Sequence, residues 1–74
     1  MKHLQVKLTP NQQKICESLV YNNNASYNGL IKLTTDHHIL YFDALDIARV
    51  SDAILTTNIR GCKAFSHKIS KLPV

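Results

Sequence analysis

Four histidines, two cysteines and five carboxylates are the side chains of this 74-residue chain that could move protons, attack an electrophile or hold a metal. His37 and His38 are adjacent. In a strand, neighbours point to opposite faces, so the pair cannot share one ion without a bend. No Cys-x-x-Cys and no His-x-x-x-His spacing accompanies them, and a polar turn explains the pair better than a metal does. Cys16 falls among Ile15, Leu19 and Val20, where a thiol acts as a small inert core residue. Cys62 lies between Arg60 and Lys63, which would favour its thiolate if the sulfur were exposed. His67 is the nearest candidate base for it. Asp43 and Asp46 sit one helical turn apart, a spacing open to acid–base work but fully explained by helix capping. Two glycines are too few for a phosphate-cradling loop. No enzyme, metal or cofactor is therefore expected.

Charge carries the clearest functional signal. Through residue 52 the cationic and acidic side chains cancel, and the formal charge of +4 lies wholly in residues 53–74. That segment holds Arg60, Lys63, Lys68 and Lys71 and no acid. On a helix, Lys63, His67 and Lys71 recur every four residues and form a cationic stripe. Such a stripe suits an acidic protein surface or nucleic-acid phosphates. The plainer alternative is a solvated helix face. Glycine-aromatic signatures of RNA-binding sheets are absent, and the Tyr41 and Phe42 rings are expected in the core. Tyr21 and Tyr27 are the exposed aromatic candidates, and tyrosine is enriched where proteins bind one another.

These residues need elements to position them. Leu4, Val6 and Leu8 alternate with His3, Gln5 and Lys7, the period of a half-buried strand. Thr9-Pro10-Asn11-Gln12 reads as a capping box with proline at the first helical position. The helix it opens is expected from Pro10 to about Asn22, with Ile15, Cys16, Leu19 and Val20 on one side. Lys14, Glu17, Ser18 and Tyr21 fall on the other. Asn28-Gly29 is a turn signal. Residues 30–34 and 38–42 are expected as an antiparallel hairpin, its second strand buried on both faces because Ile39–Phe42 is uninterruptedly apolar. Asp43 then caps an amphipathic helix whose inner face carries Ile47, Val50, Ser51 and Ile54. Phe42 and Ile47 take staple positions across its start. Asn58 and Gly61 can end it. Phe65, Ile69 and Leu72 then favour a third, basic helix over about 63–72. The rival is a fourth edge strand using Phe65, His67 and Ile69.

The fold class expected is α+β: one small domain over 1–74, with a three-stranded antiparallel sheet in β-α-β-β-α order and helices on one face. A chain of this length buries only about 60% of its unfolded surface, so its stability should be modest or depend on a partner. No run of residues is long and apolar enough for a membrane span. The opening MKHLQVKLTP lacks the apolar core of a secretory signal, so a cytoplasmic location with reduced cysteines is expected. The function expected is a non-enzymatic protein-binding module, a regulator or inhibitor. Arg60, Lys63, His67, Lys68, Lys71, Tyr21 and Tyr27 form the partner-binding set. A nucleic-acid-binding domain is the alternative, and a homodimer is compatible with either.

Overall fold

The computed structural model describes residues 2–21 and 29–73. Strand β1 spans His3–Lys7, helix α1 Pro10–Tyr21, β2 Lys32–Leu33 and β3 Ile39–Asp43. A single 3-10 turn, Ala44–Asp46, leads into α2, Ile47–Thr56, and α3 covers Cys62–Ser70. The sheet is antiparallel with β3 in the middle, in the order β1-β3-β2. His3 faces Asp43, Gln5 faces Tyr41 and Lys7 faces Ile39 across one ladder; Lys32 faces Tyr41 across the other. The fold class is α+β, and the third helix excludes a fourth strand over residues 62–70.

Local chemistry accounts for the element starts. Thr9 N–H donates to Gln12 Oε1 (3.0 Å) while Gln12 N–H donates to Thr9 Oγ1 (3.3 Å), the reciprocal pair of a capping box. Asp43, in extended conformation, accepts from the Leu45 N–H at 3.0 Å. It therefore caps as its type predicts, but the first turn it opens is 3-10 and α2 begins only at Ile47.

Alternation decides what β1 and β3 bury. Val6, Leu40 and Phe42 are buried, and they form one cluster with Ile15, Cys16, Val50, Ile54, Phe65 and Ile69. Ile47 packs against that cluster from the start of α2. Ile39 and Tyr41 are only half-buried. The expectation that β3 is covered on both faces is thus corrected. The apolar run reflects one core face plus an outer face where Ile39 and Tyr41 sit among Gln5, Lys7 and Lys32. Tyr41 is accordingly outside the core, unlike Phe42. Val20 also departs from expectation, lying 43% exposed near the end of α1. The hairpin is shorter than residues 30–34 suggest, because Leu30 and Ile31 are buried in the core without joining the ladder.

Candidate interaction surface

Helix α3 presents its two sides unequally. Cys62, Phe65, Ser66 and Ile69 turn inward and are buried. Lys63, His67, Lys68 and Lys71 are exposed, as is Arg60 just before the helix. At 1.5 Å rise per residue, the stripe from Lys63 to Lys71 runs about 12 Å. Two anchors fix its orientation. Ser66 Oγ donates to the Ser51 carbonyl at 2.9 Å, tying α3 to α2. Asn11 Nδ2 donates to the Arg60 carbonyl at 2.8 Å, tying the α2–α3 connection to the start of α1. Gly61 has φ 89°, and a Cβ there would lie 2.6 Å from Asn11 Nδ2. The left-handed backbone favours glycine here, and a side chain would push the Asn11 amide off its bond to the Arg60 carbonyl.

The cations of α3 form no ion pair among the described residues. Among the described residues the ion pairs are His37–Glu17 and Arg49–Asp46, and neither involves Arg60, Lys63, Lys68 or Lys71. The five sequence-derived basic residues are thus gathered on one helix and its approach.

Tyr21 belongs to a different assembly, and Tyr27 lies outside the described residues. Tyr21 is 66% exposed at the end of α1. Its hydroxyl lies 3.4 Å from His37 Nε2, and the two rings are tilted at 51° with centroids 6.1 Å apart. His37 Nδ1 bonds Glu17 Oε2 at 2.7 Å. Gln13 Nε2 donates to the His37 carbonyl (2.9 Å) and approaches His38 Nδ1 (2.8 Å). Gln13, Glu17 and Tyr21 recur every four residues, so one stripe of α1 grips the β2–β3 turn. His37 has φ 62°, and that bend brings both imidazoles toward α1. Sequence reasoning saw the polar turn but missed the grip; the four-residue spacing on the polar face of α1 was the available signal.

Both cysteines are free thiols and buried. Burial pushes the Cys16 thiol up to about 12, with the Glu17 charge adding to the effect. Cys62 is 8% exposed and belongs to the core, so the condition for activation by Arg60 and Lys63 is not met. An open cleft of about 280 Å³ lies at the other end of the sheet, between His3, Lys32, Tyr41, Asp43 and Asp46. No group of three or more histidine, cysteine or carboxylate side chains is placed to hold a metal among the described residues. No described helix is long and apolar enough to cross a membrane.

Fold and surface together define a small α+β domain that displays a cationic helix. No protein-family model, no characterised protein and no solved structure matches the chain.

Proposed function

We propose that this chain is a non-enzymatic protein-binding module of the cytoplasm, a regulator or inhibitor, that docks through α3 on an acidic surface of its partner. The observation carrying this reading is the set Arg60, Lys63, Lys68 and Lys71, exposed on one element and engaged by no carboxylate among the described residues. Complementary charge across an interface steers encounter and selects the partner more than it adds raw affinity. His67 lies exposed on the same stripe.

A protein surface suits this face better than nucleic acid. The outward side chains of α3 between the cations are Ala64 and Ser70, with no aromatic ring to stack on a base and no arginine on the helix to read one. Tyr21 offers a separate aromatic contact beside the hairpin turn.

Recovery of tagged protein from its host, with and without nuclease, tests the reading. A protein partner should co-purify regardless of nuclease, leave at high salt, and be lost from the triple variant Lys63→Glu, Lys68→Glu, Lys71→Glu. Recovery of nucleic acid alone, or a partner that the triple variant retains, overturns it.

A further inference from the structure

We infer that the free edge of β1 takes an extended, acidic segment of the partner as an added strand. This deepens the reading above and rests on its claim that the partner is an acidic protein.

The ladder hydrogen bonds settle which backbone groups are available. Leu8 N–H donates to the His38 carbonyl and Ala44 N–H to the Lys2 carbonyl, each at 2.8 Å. In an antiparallel pair, hydrogen-bonded and non-hydrogen-bonded pairs alternate. With the register Leu4 to Phe42 and Val6 to Leu40, the N–H and C=O groups of Leu4 and Val6 point to β3. Those of His3, Gln5 and Lys7 point the other way. β1 is at the sheet edge, and no described residue hydrogen-bonds the outward groups of these three. All three residues are exposed.

An unpaired edge is a template for another strand. What it accepts is set by the side chains. Two copies of β1 paired antiparallel about Gln5 would set His3 of each opposite Lys7 of the other; paired in parallel they would set Lys7 against Lys7. The parallel arrangement sets like charges directly opposite, which is destabilising, and the antiparallel one gives Lys7 no carboxylate to pair with. A carboxylate opposite Lys7 reverses that sign, and one opposite His3 meets an imidazole N–H donor. Between them, the residues flanking the centre of the added strand fall beside Leu4 and Val6 on the inner face. Leu4 is only partly buried and has apolar surface to cover. The register therefore specifies acid, apolar, polar, apolar, acid.

The probe is a blocked peptide, Glu-Val-Thr-Val-Glu, titrated into isotopically labelled full-length protein and followed by amide NMR and hydrogen exchange. The expected result is shifts centred on the His3, Gln5 and Lys7 amides, slowed exchange at those amides, and loss of both effects with Lys-Val-Thr-Val-Lys. Gln5→Pro removes an outward donor while sparing the bonds to β3, and should abolish protection at His3 and Lys7. If circular dichroism shows that Gln5→Pro is unfolded, Lys7→Glu takes its place and should favour the lysine peptide instead. Equal response to both peptides, or no response at β1, overturns the inference. Shifts confined to α3 would overturn the edge site and leave the α3 reading standing. Edge protection in a triple α3 variant that also keeps its cellular partner would overturn the α3 reading alone.

Discussion

Asp36 is fully exposed, yet two donors converge on one of its oxygens. Oδ1 accepts from Thr34 Oγ1 at 2.6 Å and from the His38 N–H at 3.1 Å. The Thr34 hydroxyl, then the His38 N–H, hold the carboxyl below its ordinary 3.8. A carboxylate whose folded value is depressed contributes stability that is present above the unfolded value and disappears as pH falls through the folded one. The turn should therefore hold at neutral pH and loosen in acid below about 3.8. A side-chain NMR titration should place the Asp36 midpoint below 3.8 in the native chain and return it toward 3.8 in Thr34→Ala. An unchanged midpoint in the variant would remove the hydroxyl from the account. His37 shows the limit of reading single residues. Its type suggested a polar turn, which is correct. Its left-handed backbone was not legible, because positive φ is uncommon even for histidine, enriched there though it is, and nothing in its neighbours demands it. The bend comes from the hairpin closing while Glu17 and Gln13 hold the turn from α1.

Between elements, the α2–α3 contact contains two serines with opposite roles. Ser66 Oγ donates to the Ser51 carbonyl, whereas Ser51 Oγ is buried and meets no partner among the described residues. A net hydrogen bond is worth about 1 kcal/mol, and a buried polar group left unpaired costs about 1–3 kcal/mol. Ser66→Ala should therefore destabilise the fold by about 1 kcal/mol, and Ser51→Ala should be neutral or stabilising. Urea unfolding of the two variants decides this; equal losses would mean that Ser51 has a partner after all. At this scale most of the architecture was legible. Thr9 with Gln12, and Asp43, announce their helices because capping is local and each type has one strong use. Phe65, Ile69 and Leu72 announced α3 by period. The outward turn of Ile39 and Tyr41 was not legible, since an apolar run looks the same whether one face or both are covered. The extra 3-10 turn after Asp43 was hidden for a related reason: a cap fixes where a turn starts, not how tightly it winds.

Across the whole molecule, the segregation of charge was plain in the sequence, whereas the exposure of all five basic residues, and their forming no ion pair among the described residues, needed the fold. That arrangement opposes the stability of the helix carrying it. Lys63 is the second residue of α3, at the positive end of the helix dipole, where a cation is unfavourable. Lys68 and Lys71, three residues apart, also set like charges beside each other at its far end. Lys68, unlike Lys63, lies in the last turn and complements the dipole. Lys63→Glu reverses the worst-placed charge. It should raise stability by about 0.5–1 kcal/mol, with the gain shrinking as salt screens the surface. For a domain of this size that corresponds to a rise in Tm of about 2–8 °C. Partner binding should weaken in the same variant. Thermal melts at low and high salt, set beside partner recovery, read both quantities from one substitution. A variant that is more stable and still binds fully would show that Lys63 is merely a solvated side chain.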